Sequence, residues 1–322
     1  MSVYDGARFL APAIESVLAQ TLTDFEFLIL DDGSRDSSLA IAQAFAARDS
    51  RIRIIARENR GLVASLNQLL AEARAPLVAR MDADDICHPE RFARQVAFLE
   101  AHPDHGVVGS WSEDIDEYGK PFPMGGSDHP VANEDFAESI AADRSLMVHP
   151  AVTYRRDLVL GVGGYHRAYR HVEDHDLWLR LASVTKMANL PERLIRYRHY
   201  PDQVSSRHAT EQQIGHSVAT IAWRERQAGR PDPTTDIDAL PPLGQLDALF
   251  GREGVDREVR ARLARALSYS RSSLAGEGFG HIMTHVREGG DTEGLWRTAA
   301  RLVTFGLPGR AARLAAALVS AP

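Results

Sequence analysis

A single cysteine, Cys87, is all the thiol chemistry in this chain of 322 residues. An intramolecular disulfide framework is therefore excluded, and the composition suits a reducing compartment. Nothing near Cys87 reads as the base of a catalytic thiol, so none is expected there. No run approaches the ~20 apolar residues that a membrane-spanning helix needs, and the N-terminus has no basic-then-apolar signal. The expected location is the cytoplasm, or the cytosolic face of a membrane. An excess of basic charge is also missing. The 37 basic and 44 acidic residues leave a formal charge of −7, which gives no whole-chain attraction for nucleic acid, so an anionic ligand must be held by local features or by a metal. What is abundant is apolar content, at 44%, enough for a large core without staples.

The first half alternates two kinds of segment. "ARFLAPAIESVLAQ", "SSLAIAQAFAARD", "GLVASLNQLLAEA" and "PERFARQVAFLEA" carry apolar residues at helical spacing, whereas "FEFLIL", "IRIIA" and "LVARM" are short apolar runs typical of buried strands. This alternation predicts an α/β fold, a Rossmann-like, mostly parallel sheet with helices on both faces. After "GVVGSW" the pattern is less regular, with a helix expected at "EDHDLWLRLAS" and a strand at "ERLIRYRHY". A Pro/Asp-rich linker is expected near residues 229–244, inside a helical C-terminal region.

Two of the apolar runs end in acid. "LVARMDADD" places Asp82, Asp84 and Asp85 within four positions, and "FEFLILDD" ends in Asp31 and Asp32. Like charges so close repel unless a cation or hydrogen-bond donors lie among them. Taken alone, the first cluster reads as a metal site or as a solvated turn in which Asp85 caps the helix near His88-Pro89. In sheets of this kind, ligands bind beyond the carboxyl ends of strands. Two acidic strand ends in one fold favour the metal.

The ordered set "VYDGARFLAPAIESVLAQTLTDFEFLILDDGSRDSS", "MDADD", "HPAVTYRR", "GGY" and "EDHDLWLRL" resembles glycosyltransferase family 2, the inverting, nucleotide-sugar-dependent group with the GT-A fold. The resemblance spans roughly residues 2 to 205, and it predicts a GT-A domain over 1–210 with a helical appendage over 211–322.

The resemblance implies Mg²⁺ or Mn²⁺ on Asp84, with Asp82 reaching the ribose or the metal's waters, and a nucleotide site that also includes Tyr4, Asp5 and Asp32. Asp32 matches the aspartate that accepts a hydrogen bond from the base edge, which suits a UDP- or dTDP-sugar. Asp5 stands where the family usually has Asn. Asp174 matches the catalytic base that takes the acceptor hydroxyl's proton. Glu173 and Asp176, beside it, also suit simple complementation of a helix dipole. Glu173 and His149 are assigned to the donor and acceptor pocket, and His199 to a loop near the metal. Arg196 and Arg198 alternate around Tyr197 on a strand-like segment and are placed on one side of it, toward the diphosphate or toward solvent. Specificity is expected in the loops around residues 112–130 and 199–210.

The sequence departs from the family at its start, because Met1 and Ser2 stand almost directly before the Val-Tyr turn, where a buried first strand is usual. The expectation is a chain lacking most of that strand, with a natural start upstream. The tail "GLWRTAARLVTFGLPGRAARLAAALVSAP" alternates apolar residues with Arg297, Arg301, Arg310 and Arg313, which suits either a peripheral membrane contact near lipid-linked acceptors or a helical bundle. The expected function is transfer of a sugar from a nucleotide-sugar donor to a glycan or lipid-linked acceptor, with cell-surface polysaccharide synthesis as the setting. The alternatives are an inactive carbohydrate- or nucleotide-sugar-binding homologue and a Mg²⁺-binding phospho-acceptor signalling domain.

Overall fold

The computed structural model describes residues 1–123, 125–126, 128–201, 203 and 208–320. The two expected specificity loops fall partly outside this set, at residues 124, 127, 202 and 204–207. The chain divides into one unit of Met1–Arg167 with Glu173–Gln203, and a second of Ala168–Val172 with Val204–Pro322.

In the first unit the expected alternation appears as β1 (Ser2–Val3), α1 (Ala7–Leu18), β2 (Phe27–Asp31), α2 (Ser38–Ala46), β3 (Ile52–Ala56), α3 (Leu62–Glu72) and β4 (Leu77–Ala79). Strands β1, β2 and β3 form a parallel sheet in that order. All five residues of β2 are buried because both faces of the strand are covered. Phe27 and Ile29 pack with Leu10, Ile14 and Val17 of α1 and Ala42 of α2, while Leu28 and Leu30 point the other way, toward Leu69 of α3. Strand β1 has two residues, and they run the ladder up to the acidic turn. Leu30 N donates to Met1 O and Asp32 N to Val3 O, both at 2.9 Å.

The second sheet has the order β4-β7-β6-β8-β5, where β5 is Ile86–Cys87, β6 is His105–Ile115, β7 is Thr153–Arg155 and β8 is Lys186–Arg198. Here only β6 and β8 pair in parallel, and the other neighbours are antiparallel. The regular parallel pattern thus stops at β3. Helices α4 (Arg91–Ala101), α5 (Asn133–Ala141), α6 (Arg156–Gly161) and α7 (Glu173–Leu181) belong to this half. A buried guanidinium fixes the exit of β4. Arg91, fully buried, donates to Arg80 O at 2.7 Å and Val152 O at 3.0 Å, which satisfies a charge that would otherwise be costly in the core. Helix α4 begins at Arg91 with Glu90 at its cap position, so the expected capping by Asp85 does not occur.

The second unit is helical: α8 (Ala209–Gln227), α9 (Leu246–Phe250), α10 (Val255–Leu267), α11 (Arg271–Ala275), α12 (Gly278–Arg287), α13 (Leu295–Thr304) and α14 (Pro308–Val319). Between α8 and α9 the Pro/Asp-rich stretch has no helix or strand. It is nonetheless packed, since Thr234 is fully buried and its hydroxyl accepts from Tyr169 OH at 2.9 Å. The tail's apolar stripe lies inside this bundle. Leu295, Ala299, Leu302, Ala311 and Leu314 are buried with Phe279, Ile282, Met283 and Val286. Its arginines also turn inward: Arg301 donates to Ser268 O at 2.7 Å and lies over the Tyr269 ring, and Arg310 donates to Leu274 O at 2.6 Å. The alternation read in the tail is therefore used by a bundle. No described helix is long and apolar enough to cross a membrane.

Candidate active site

The site is built from loops that leave β1, β2 and β4, and from the start of α7. After β1 the chain turns through Asp5, whose backbone is left-handed at φ 49°, a conformation that Asp tolerates better than most residues. Asp5 is not a free side chain. Its Oδ1 accepts from Arg35 N at 2.7 Å, and its own N–H donates to Ser34 Oγ at 3.1 Å. The next two amides follow suit, Gly6 donating to Ser38 Oγ and Ala7 to Asp36 Oδ2, both at 2.9 Å. The turn after β2 thus clasps the turn after β1. On its other side the β1 turn meets the acidic loop, because a methyl group built on Gly6 would lie 3.8 Å from Ala83 Cβ. Tyr4 stands at this rim, 46% exposed.

The two acidic strand ends differ in how their charge is met. Asp32 is buried, and its carboxylate accepts from Arg60 N at 3.0 Å and Gly61 N at 2.8 Å and pairs with Arg57 Nη1 at 2.9 Å. Asp31 accepts from Ser34 N at 3.1 Å through Oδ2, while its buried Oδ1 has no hydrogen-bond partner. Gly33 is required between them and Ser34. It has φ +79°, and a Cβ there would come 2.8 Å from Asn59 N.

Asp82, Asp84 and Asp85 offer carboxylate oxygens that all lie within 4.8 Å of one another. Asp85 is buried; Oδ1 accepts from Arg198 N at 2.8 Å, and Oδ2 has no partner. Asp84 Oδ2 accepts from Tyr200 OH at 2.9 Å. Burial and the neighbouring Asp82 push the Asp84 carboxyl up to about 6. Burial, Asp84 and Asp82 push Asp85 well above the ordinary range. Such a cluster is short of positive charge, and a hard divalent cation with oxygen ligands is the group that fits it.

One cation already present is Arg80, at the exit of β4. It is buried and pairs with Asp82. Burial opposes its charge, but Asp82 and Glu173 overcome that cost and raise its pKa further. Arg80 therefore links the acidic loop electrostatically to the start of α7. There, burial and Asp174 hold the Glu173 carboxyl up at about 8, and Glu173 Oε2 has no partner. Asp174 is half-buried and also raised by burial, while the His175 amide that it accepts from at 2.8 Å pulls the other way. A base of raised affinity is better matched to abstracting a hydroxyl proton near neutral pH. Asp176, by contrast, is structural: it is buried and pairs with Arg180 Nη2 at 2.7 Å.

His149 approaches Tyr165 OH at 3.2 Å and meets Trp178 edge-on. Burial, and then Arg80, push its pKa well below the ordinary value, so it is neutral. Three of the residues named from the sequence have partners it did not announce. His199 is not gathered with the three aspartates; its Nε2 faces Asp114 Oδ1 at 3.3 Å, because alternation along the chain puts Tyr200 on the Asp84 side. Arg196 and Arg198 both have partners within the chain. Arg196 pairs with Glu113 at 2.9 Å and donates to Gly119 O at 2.6 Å. Arg198 donates to Asp84 O at 2.7 Å and to Asp116 O at 3.1 Å. Both arginines lace the segment after β6 onto β8.

Sequence reasoning missed Arg80 and Tyr200. An arginine inside an apolar strand was a usable sign for the first. The second makes its contact across 116 residues, and nothing local announces it.

Comparison with known proteins fits this geometry. The chain matches the family described as Glycosyl transferase family 2 over residues 1–159. It is 36% identical over 215 residues to the putative glycosyltransferase EpsE of Bacillus subtilis, an alignment covering 65% of this chain and 75% of that one. It is 34% identical over 200 residues to the amylovoran biosynthesis glycosyltransferase AmsE of Erwinia amylovora, covering 62% and 73%. Among solved structures, S. aureus TarS 1-349 in complex with UDP-GlcNAc matches with a TM-score of 0.59 at 15% identity, covering 99% of this chain and 89% of that one. The structural likeness shows a shared GT-A fold, and the sequence relatives carry the rest: this chain belongs to glycosyltransferase family 2.

Proposed function

We propose that this glycosyltransferase moves a sugar from a UDP- or dTDP-sugar, with inversion at the anomeric carbon, to a hydroxyl of a glycan or lipid-linked acceptor in cell-surface polysaccharide synthesis. The observation that carries this reading is the gathering of Asp82, Asp84 and Asp85 oxygens within 4.8 Å, with Asp84 and Asp85 raised by burial and mutual repulsion. Asp84 is the proposed ligand for Mg²⁺ or Mn²⁺, which when bound supplies charge to a departing diphosphate. Asp82, half-exposed and held by Arg80, orients the ribose side of the donor. Asp32 already accepts three donors, and a carboxylate's fourth lone-pair site remains for the N–H of a uracil or thymine.

Asp174 takes the acceptor proton as the hydroxyl attacks, and one base on the far side of the leaving group is what inversion requires. Glu173 keeps its own proton at neutral pH and so donates a hydrogen bond where Asp174 accepts a proton. Neutral His149 and Tyr165 close the polar wall beside them. The polysaccharide setting is supported by the similarity to AmsE, a glycosyltransferase of amylovoran biosynthesis. A panel of UDP-, dTDP- and GDP-sugars incubated with Mn²⁺ and lipid-linked acceptors, with product configuration read by proton NMR, tests the reading. Transfer from a uracil or thymine donor with inverted configuration is the expected result. Transfer only from GDP-sugars, or with retained configuration, would overturn it.

A further inference from the structure

A second group of ligand atoms lies outside the donor site, wholly within the helical unit. His171, His208 and Glu211 each present one ligand atom, and these atoms lie within 4.8 Å of one another. His208 Nδ1 is 3.3 Å from Glu211 Oε2, and His171 Nε2 is 3.8 Å from the same oxygen. The edge of a tetrahedron with metal bonds of ~2.0–2.1 Å is about 3.4 Å, so these separations are close to those of ligands already sharing an ion.

The residues are held in place by their surroundings. His208 is the cap residue of α8 and Glu211 sits in its first turn, so both project from one helical end. His171 comes from the five-residue segment Ala168–Val172, which joins this unit ahead of α7. Its backbone is left-handed at φ 68°, and its carbonyl accepts from Gln212 Nε2 at 3.1 Å. Close packing of Val172 against Gly215, where a Cβ would come within 2.5 Å, keeps the segment pressed to α8. Among the described residues, the buried His171 Nε2 has no hydrogen-bond partner. The His171 and His208 rings stack at 4.1 Å between centroids, with 19° between their planes. Beside them a cleft of about 300 Å³, lined by His208, Glu211, Ser272, Ser273 and Glu277, gives an entry path.

We infer that His171, His208 and Glu211 form a binding site for a borderline transition-metal dication of the Zn²⁺ class, which clasps the Ala168–Val172 segment to α8. Two imidazoles and one carboxylate select Zn²⁺ or Co²⁺ over the Mg²⁺ expected among all-oxygen ligands. The site is chemically distinct from the aspartate cluster and does not depend on the donor reading.

Co²⁺ titration of the full chain tests it, because a low-coordinate site with nitrogen ligands gives strong visible bands that an oxygen-only octahedral site does not. The titration is run on the parent, Asp84→Ala, His171→Ala and Glu211→Gln, with Zn²⁺ competition and melting temperature as second readouts. The expected result is strong bands at one equivalent in the parent and in Asp84→Ala, displaced by Zn²⁺. In Glu211→Gln, an exposed and structurally mild change, affinity falls at least about tenfold, and His171→Ala loses the bands. Absence of bands in the parent, or bands lost in Asp84→Ala and kept in Glu211→Gln, would overturn the inference and leave Glu211 as an ion-pair partner for the two histidines.

Discussion

Two strand ends of this protein carry acid, and they treat it in opposite ways. After β2, Asp32 is buried but met by two amides and the Arg57 guanidinium. After β4, Asp84 and Asp85 are pressed together, with Tyr200 OH donating to Asp84 and Arg198 N to Asp85, and among the described residues Asp85 Oδ2 has no donor. The first arrangement stabilises the fold, and the second works against it. A carboxylate whose charge is fully satisfied holds a loop in place, whereas a cluster left short of positive charge is poised to receive it. The same contrast separates Asp176, paired with Arg180, from Glu173 three residues earlier on α7.

The largest expected effect tests the chemistry at α7. Asp174→Asn removes the base while keeping its shape, and steady-state transfer should fall by about 10²–10⁴-fold, with donor nucleotide binding by calorimetry nearly unchanged. Next comes the satisfied carboxylate. Asp32→Ala strands Arg57 and two amides, and urea unfolding should show a loss of about 3–5 kcal/mol. If that variant unfolds like the parent, the contrast between the two strand ends fails.

Glu173→Gln should move stability the other way. Glu173 titrates at about 8 in the folded chain against an ordinary 4.5, so the fold favours its proton. Its stabilising contribution is complete below about pH 4.5 and is lost as pH rises through about 8. The neutral isostere escapes this loss. Its advantage over the parent should open above about pH 5 and level off above about pH 8 near 2–4 kcal/mol, measured by denaturant melts across that range. An advantage that shrinks with rising pH would contradict the sign. The smallest effect belongs to His199→Ala, since His199 turns to Asp114. Metal affinity should change by less than about twofold.

Much of this was legible in the residues. Alternation of helical and strand-like segments predicted the order from α1 to β4, because a strand covered on both faces reads as an apolar run, and β2 does up to its last residue, Asp31. Asp84 could be picked out as an acid just beyond a strand's carboxyl end, where such folds bind ligands, whereas Asp174, in the first turn of a helix, was singled out by the family resemblance alone. The mixed second sheet was less legible. β6 and β8 bury polar residues such as Ser110, Ser112 and Asn189, which interrupts the apolar signal of a buried strand. Arg196 and Arg198 were placed on one strand, but alternation gives a face and not a partner, and their partners come from the segment near Glu113–Gly119. The tail shows a further limit. An apolar stripe with flanking arginines has the same period whether it faces lipid or a bundle, and only the burial of Leu295, Leu302 and Leu314 distinguishes them.

Calorimetric titration of UDP, with and without Mn²⁺, into the parent chain and into Asp84→Ala tests the central claim most directly. The account predicts that Mn²⁺ strengthens UDP binding at least about tenfold in the parent, a coupling of about 1.4 kcal/mol, and that Asp84→Ala abolishes this coupling. Equal UDP affinity with and without Mn²⁺ in the parent, or coupling that survives in Asp84→Ala, would contradict it.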